Sequence, residues 1–167
     1  KGWRFAVLDG NEVGILGTVK GTPERAAAEE ILAGLKAAAA PHAKAYNGAV
    51  SAKQLAWLDT TLADADARRQ PAVVFCHFPV FPFTDGTLWN REEVIAVLER
   101  HPAVLAYING HVHGGGYGVR NGIHYLTVNG MVDTADTTAY GVAARNAPGG
   151  VAIAGTGRLG NHDLARG

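Results

Sequence analysis

Short apolar runs alternate with amphipathic stretches along most of this chain. The runs at Ala72–Cys76 and 104–108 are continuous and rich in branched side chains. This pattern is typical of strands that are covered on both faces of a sheet. Residues 5–8 predict another strand. Residues 13–19 fit either a strand or a loop, because two glycines weaken the strand pattern.

Start signals predict three helices. Thr22 supplies a capping hydroxyl directly before a proline, and an alanine-rich run follows. Ser51 and Gln54 form a capping box for a helix that continues to about residue 67, with the Gln54 side chain expected to reach back to the cap. Asn90 begins a third, shorter helix.

Turn signals in the last third of the chain predict antiparallel hairpins. Asn121-Gly122 separates strand-like runs at 117–120 and 123–128. A second hairpin is expected between residues 139–144 and 151–154. Strands that alternate with helices and are then followed by hairpins indicate an α/β fold with a mixed sheet.

Composition narrows the class of protein. The chain has 167 residues, of which 47% are hydrophobic and 18% charged, so one ordered globular domain is expected. Fifteen basic and fifteen acidic residues give no electrostatic case for binding nucleic acid or an anionic membrane. The single cysteine excludes an internal disulfide and favours a reducing, cytoplasmic location. The sequence starts without methionine and close to a strand, which predicts a chain that begins inside a domain.

Three histidines follow the ends of the two buried strands. His77 comes directly after the first strand, and His111 and His113 follow the second within a glycine-rich segment. A right-handed strand–helix–strand unit makes its strands parallel, so both ends should lie at the same side of the sheet, where ligands bind. A straight strand would point His111 and His113 to one face, whereas a bend would aim them at adjacent positions. Because neutral imidazole is the commonest metal ligand, a metal site is predicted, with a polar loop as the alternative.

Few other residues near the three histidines could serve as metal ligands or bind a phosphoryl group. Asp85 and Asp133 are the carboxylates in the neighbouring loops, and Asp133 could orient a histidine. Arg91 is the nearby cation that could clamp a phosphoryl group. His124 alternates within a strand and is predicted to be structural or to support a metal ligand.

Four further side chains are assigned no ligand role. His42 and His101 stand beside prolines at helix ends and are expected to be solvated. Trp57 is expected to pack in the core or in an interface. Cys76 precedes His77 directly, and adjacent strand residues face opposite ways, so a cysteine–histidine nucleophile pair is not expected.

Seven motifs occur along the chain in one order: Tyr46-Asn47-Gly48, Gln54-Leu55-Ala56-Trp57-Leu58, Cys76-His77-Phe78-Pro79, Leu88-Trp89-Asn90, Asn109-Gly110-His111-Val112-His113-Gly114-Gly115-Gly116-Tyr117, Gly122-Ile123-His124-Tyr125 and Asn129-Gly130-Met131-Val132-Asp133. Together they resemble the calcineurin-like metallophosphoesterases, and within them the manganese-dependent ADP-ribose/CDP-alcohol diphosphatase family. The resemblance spans nearly the whole chain, but only the C-terminal half of such an enzyme.

The resemblance implies a fold and a set of metal ligands. Residues 1–167 would be a single partial metallophosphoesterase domain, the C-terminal half of a β-sandwich flanked by helices, with the N-terminal metal-ligand half absent. His77 and His111 would ligate one metal of a dinuclear site, and His113 would ligate the other.

The resemblance also implies an activity. The cofactors would be two divalent metal ions, manganese by resemblance, with iron or zinc also suited to such ligands. A hydroxide activated between them would hydrolyse nucleoside-diphosphate-linked substrates such as ADP-ribose or CDP-alcohols. Trp89, Asn90 and Tyr117 are the candidate substrate contacts, although Trp89 could instead pack its loop. The expected partners are the small nucleotide substrate and the missing N-terminal half of the domain.

Two other interpretations stay open. The family's remaining ligands come from upstream D-x-H, G-D-x-x-D and G-N-H-D/E motifs, and the first two are absent here. The chain could therefore be a truncated or degenerate, non-catalytic domain that needs an upstream half. Gly160-Asn161-His162-Asp163 matches the third motif at the wrong end of the chain and is interpreted as a coincidence. A different calcineurin-like phosphodiesterase or phosphatase is the other alternative.

Overall fold

The computed structural model of the protein describes residues 2–146 and 149–165. No helix among these residues has both the length and the apolar character needed to span a membrane. The helices are α1 (Pro23–Ala37), α2 (Ala52–Arg68) and α3 (Arg91–Glu99). The strands are β1 (Arg4–Leu8), β2 (Val13–Gly14), β3 (Gly48–Ala49), β4 (Ala72–Cys76), β5 (Val104–Asn109), β6 (Gly116–Arg120), β7 (Ile123–Thr127), β8 (Ala139–Asn146), β9 (Gly150–Gly157) and β10 (His162–Leu164).

The main sheet is mixed, as predicted. Its strand order is β1-β4-β5-β7-β6, with the first four strands parallel and β6 antiparallel to β7. A second, antiparallel sheet has the order β10-β9-β8, and β2 pairs with β3 in a short ribbon. Because β4 and β5 are parallel neighbours, the two predicted histidine positions lie side by side at the carboxyl ends of these strands.

The two faces of the main sheet pack against different layers. Val74 and Tyr107 lie in the core cluster that α2 and α3 cover. Val73 and Leu105 lie in a second cluster, which the small sheet covers through residues such as Ile153. This burial on both sides explains why β4 and β5 are continuously apolar. The α/β sandwich that the sequence predicted is confirmed.

Most local signals correspond to the observed elements. The Thr22 hydroxyl accepts the Arg25 N–H at 3.3 Å, and the Ser51 hydroxyl accepts the Gln54 N–H at 3.1 Å. The predicted return contact from the Gln54 side chain is wrong, because that amide binds Asp9 and Glu12, and Glu12 takes the Ser51 N–H instead. The prediction of Ser51 as the cap is therefore confirmed, but the acceptor for its N–H is Glu12, from another part of the chain.

The predicted hairpins form. Asn121 and Gly122 have φ angles of 48° and 75°, the left-handed pair that a two-residue turn requires. Strands β8 and β9 pair antiparallel, and residues 147 and 148 of their predicted connection lie outside the described residues.

The structure corrects two expectations about side-chain exposure and decides between the alternatives for one ambiguous stretch. Trp57 is 47% exposed, so it is not part of the core, and its predicted alternative place in an interface stays a prediction. The His101 side chain is only 10% exposed, and its ring lies between Asp66 at 2.7 Å and Asp59 at 3.0 Å. The ambiguous stretch 13–19 contributes only the two residues of β2 before it becomes a loop.

His42 is also less solvated than expected. Its Nε2 lies 3.3 Å from the Trp89 carbonyl, and its ring meets Phe83 edge-on at 5.4 Å between ring centroids. Contacts from distant parts of the chain therefore place this ring in the packed region beside β3.

Candidate metal centre

The ends of β4 and β5 bring two of the predicted histidines into contact. His77 follows β4 directly, and its carbonyl accepts the Gly110 N–H at 3.1 Å. His111 lies two residues beyond β5, and its Nδ1 is 3.1 Å from His77 Nε2. The two parallel strands thus set the spacing of the two rings.

A bend, not a straight strand, presents His111. Its φ angle is +66°, and the Val112 N–H donates to the Gly110 carbonyl at 2.8 Å, which closes a three-residue turn around His111. A positive φ is uncommon for a residue other than glycine, and such strain costs about 1–3 kcal/mol where the surroundings enforce it. Of the two geometries that the sequence allowed, the structure has the bend, which aims His111 and His113 at adjacent positions.

Asn47 determines the proton position on His111. This side chain is buried, and its amide nitrogen donates to the carbonyls of His42 at 3.0 Å and Asp85 at 2.7 Å. Its oxygen therefore faces His111 Nε2, at 3.0 Å, and must accept a proton from it. In the neutral ring Nδ1 then carries the lone pair, and this is the nitrogen that faces His77.

The His77–His111 geometry fits two ligands of one metal ion. With bonds of about 2.0–2.1 Å, the length of zinc–nitrogen bonds, two ligand nitrogens on one ion lie about 3.0–3.4 Å apart. The observed 3.1 Å between His77 Nε2 and His111 Nδ1 falls within this interval. The same two atoms can share a proton when no ion is bound.

The local environment keeps both imidazoles neutral at pH 7. Desolvation, followed by the nearby His113, lowers the pKa of His77 below its usual value. Desolvation, and then repulsion from His77 and His113, lowers the pKa of His111 to about 4. The buried Phe78 ring lies against both, at 4.9 and 4.5 Å between centroids. Neutral imidazole is the form that binds a metal ion.

His113 is held from its other side by Asp133 and Arg158. Asp133 Oδ1 is 2.7 Å from His113 Nδ1, which confirms that Asp133 orients a histidine. Arg158 Nη1 donates to Asp133 Oδ2 at 3.0 Å and, with His113, keeps the pKa of that carboxyl below its usual value. This arrangement leaves Nε2 of His113 as the nitrogen that can bind an ion.

Two glycines leave room for these rings. A Cβ on Gly130 would lie 2.5 Å from Cγ of His113. A Cβ on Gly86 would lie 2.7 Å from a methyl carbon of Val112 and 3.3 Å from the His111 ring. The loop at Gly130 therefore approaches His113, and the loop at Gly86 approaches Val112, more closely than a side chain would permit.

The candidate substrate contacts have structural partners. Trp89 is 5% exposed, and its indole N–H donates to the Lys44 carbonyl, so it packs its loop, as the alternative interpretation held. The Asn90 amide bonds both backbone polar groups of Val50. The Tyr117 hydroxyl lies 2.7 Å from His124, and their substrate role stays a prediction.

The other candidates are placed as follows. His124 is buried between Tyr117 and the Ala165 carbonyl, in agreement with a structural role. The Arg91 guanidinium covers the Phe83 ring at 4.4 Å. Cys76 is buried, and desolvation raises the pKa of its thiol, which does not favour a nucleophile.

The late G-N-H-D match is part of the small sheet. Asn161 accepts the Gly155 N–H at 2.9 Å, the His162 ring lies 5.0 Å from that of Tyr117, and Asp163 accepts from Asn146. These contacts are structural, as the interpretation of a coincidence requires.

The donor set at the centre is incomplete within residues 2–146 and 149–165. These residues contain no group of three or more histidine, cysteine or acidic side chains arranged to hold a metal ion. The sequence missed Asn47 and Arg158. Asn47 had a signal, because it stands in one of the motifs, but that motif also predicts a turn. Arg158 had none.

Comparison of structures places the fold among dimetal phosphatases. A dimetal phosphatase from Danio rerio superimposes with a TM-score of 0.89 at 26% identity, over 98% of this chain and 57% of that one. No family model matches the chain.

The similar sequences agree with one another. The manganese-dependent ADP-ribose/CDP-alcohol diphosphatase of Arabidopsis thaliana is 33% identical over 147 residues, 78% of this chain and 47% of the relative. The Bos taurus protein of the same name is 29% identical over 156 residues, 83% of this chain and 45% of the relative. The chain is therefore a homologue of these diphosphatases, as the motifs indicated. It spans about half the length of the curated relatives it matches.

Proposed function

We propose that this chain is part of a metal-dependent hydrolase that cleaves nucleoside-diphosphate-linked substrates such as ADP-ribose or CDP-alcohols. The observation that carries the proposal is the pair of facing ring nitrogens, His77 Nε2 and His111 Nδ1, 3.1 Å apart at neighbouring strand ends. The similarity to a dimetal phosphatase and to the diphosphatases supports the reaction class.

Each histidine has a distinct task in this proposal. His77 and His111 would hold one divalent ion, and His113 would present Nε2 to a second. Two such ions, when bound, polarise the phosphoryl group and activate water for in-line attack. Asn47 keeps the His111 lone pair directed at the first ion's position, and Phe78 keeps water from the back of both rings. Manganese is the metal named for the similar diphosphatases and suits mixed nitrogen and oxygen ligands.

We further propose that the active protein contains an additional, upstream half-domain that supplies carboxylate ligands. Three observations support this proposal. The chain spans about half the length of its relatives, the described residues hold no complete ligand group, and β1 stands at the edge of the main sheet and exposes Phe5 and Val7. In this view residues 1–167 form a partial metallophosphoesterase domain.

Activity of the full-length gene product tests the proposal. Hydrolysis of ADP-ribose and CDP-choline with Mn²⁺ would be compared for the wild type, His111→Ala and the control His162→Ala, which removes an imidazole outside the centre. We expect kcat/KM to fall more than about 100-fold in His111→Ala, because losing a ligand exceeds the loss typical for a ligand's supporting partner. Unchanged turnover in His111→Ala would refute the proposal.

The incomplete donor set favours one second candidate: the 167 residues alone form a non-catalytic domain that binds metal weakly. Calorimetric titration with Mn²⁺ distinguishes the two. Tight binding of two ions by residues 1–167 alone would contradict the second candidate, together with the need for an upstream half-domain. Weak binding by the full-length product as well would favour the second candidate.

A further inference from the structure

We propose that Arg158 is a positioning residue for His113, which acts through Asp133 to fix the imidazole with Nε2 directed toward the metal position. The effect of Arg158 on metal affinity rests on the proposed function. Its effect on the orientation and tautomer of the His113 ring does not depend on that function.

Arg158 reaches three acceptors around His113. Its Nη1 donates to Asp133 Oδ2 at 3.0 Å and to the Gly130 carbonyl at 3.1 Å. Its Nη2 lies 3.3 Å from the carbonyl of His113 itself. One guanidinium therefore holds the loop that carries the ligand, the facing loop, and the carboxylate between them.

The carboxylate transmits this constraint to the ring. Asp133 Oδ1 lies 2.7 Å from His113 Nδ1, and an ionised carboxylate only accepts hydrogen bonds. The proton therefore sits on Nδ1, and the lone pair sits on Nε2. A carboxylate that fixes a ligand's tautomer in this way also fixes the orientation of the ring.

Asp133 needs such a support because its own segment is open to solvent. Residues 131–137 are exposed, and the hydrogen bonds described for the Asp133 side chain go to His113 and Arg158 alone. Arg158, in contrast, comes from a packed region. It directly follows β9, its N–H donates to the Thr138 carbonyl at 3.0 Å, and the next residue, Leu159, is buried in the second core cluster.

The three contacts of Arg158 require the several coplanar N–H donors of a guanidinium. Arginine presents several donors in one plane, whereas the lysine ammonium is a single point of charge on a flexible stem. A lysine at this position could pair with Asp133 but could not hold both carbonyls at the same time.

Ring NMR of the full-length, metal-free gene product tests the positioning role. The ¹⁵N shifts of His113, assigned by their loss in His113→Gln, report which nitrogen carries the proton. We expect the Nδ1–H form in the wild type, a mixture of both forms in Arg158→Ala, and an intermediate result in Arg158→Lys. Arg68→Ala is the matched control, because it removes an exposed arginine–aspartate pair on α2.

Mn²⁺ affinity by calorimetry is the second readout. We expect a loss of about 10–100-fold in Arg158→Ala, the range typical for outer partners of a ligand, and none in Arg68→Ala. If Arg158→Ala does not fold, Arg158→Gln, which keeps an N–H donor without the charge, should show the same direction with a smaller loss.

Wild-type tautomers and wild-type Mn²⁺ affinity in the Arg158 variants would overturn the inference. A full-length product that binds no Mn²⁺ would instead refute the proposed function. The tautomer comparison would still decide the role of Arg158 in that case.

Discussion

The two histidines of the glycine-rich segment lie close to glycines of two other loops, which leave room for them. Gly130 lies closer to the His113 ring, and Gly86 closer to Val112 beside His111, than a Cβ would allow. The orientation of the two rings toward the metal position therefore depends on the absence of side chains at Gly86 and Gly130. Small displacements matter here, because a binding constellation tolerates errors of only about 0.5 Å.

Gly130→Ala should weaken metal binding without a large loss of stability. The new Cβ would lie 2.5 Å from Cγ of His113, so the ring must move away from its position. We expect Mn²⁺ affinity of the full-length product to fall about tenfold or more, measured by calorimetry.

Gly34→Ala on α1 is the matched control. No atom lies within 4 Å of a Cβ at Gly34, so an alanine there should raise stability by about 0.4–1 kcal/mol and leave Mn²⁺ affinity unchanged. Equal affinity in Gly130→Ala and the wild type would show that His113 does not need its observed position.

At this scale the sequence predicted which residues meet, but not their protonation. His77 and His111 could be paired because both follow strands that the crossover rule makes parallel. The tautomer of His111 depends on Asn47, 64 residues away, and the orientation of His113 depends on Arg158, 45 residues away. Local pattern carries no information about such distant partners.

The elements follow local signals where these are strong. The buried strands, the Thr22 and Ser51 caps and the Asn121-Gly122 turn were predictable, because each depends on residues next to one another. His101 was not predictable. Its low exposure depends on Asp59 and Asp66, two turns apart on α2, which contact a ring from a segment more than thirty residues later.

Asp66 joins α2 to the start of β5. Its carboxylate accepts the Ala103 N–H at 2.6 Å and lies 2.7 Å from His101 Nδ1. Asp66→Ala removes the acceptor for both groups at a partly buried place, so we expect the free energy of unfolding to fall by about 2 kcal/mol in urea denaturation.

Asp64→Ala is the control on the same helix. Asp64 pairs with Arg4 and Arg68 at the surface, where ion pairs contribute little. We expect a clearly smaller change than in Asp66→Ala. Equal destabilisation by the two substitutions would mean that the Asp66 contacts add nothing beyond surface electrostatics.

At the edge of the main sheet, β1 is buried on one face and exposes apolar side chains on the other. Ala6 and Leu8 of β1 face the core under α2 and α3, whereas Phe5 and Val7 point to the other side and are 62% and 69% exposed. On that side Phe5 stacks with Trp3 and lies beside Phe75, at the rim of a cavity of about 140 Å³ between the two sheets. An apolar edge strand of this kind is a template for pairing with another chain.

Replacing both Phe5 and Val7 by lysine should therefore improve the behaviour of the 167-residue chain and destabilise the full-length product. In the 167-residue chain, the double substitution to Lys should raise the monomer fraction in sedimentation velocity, because charge on an edge strand opposes pairing. In the full-length product it should lower the melting temperature, because the proposed additional half-domain would cover this face. Leu16 and Val19, both 74% exposed in the loop before α1, provide the matched double-lysine control and should change neither quantity. An unchanged melting temperature of the full-length product with lysine at Phe5 and Val7 would mean that the additional half-domain does not cover β1. The carboxylates of that half-domain would then have no demonstrated route to the histidines beside β4.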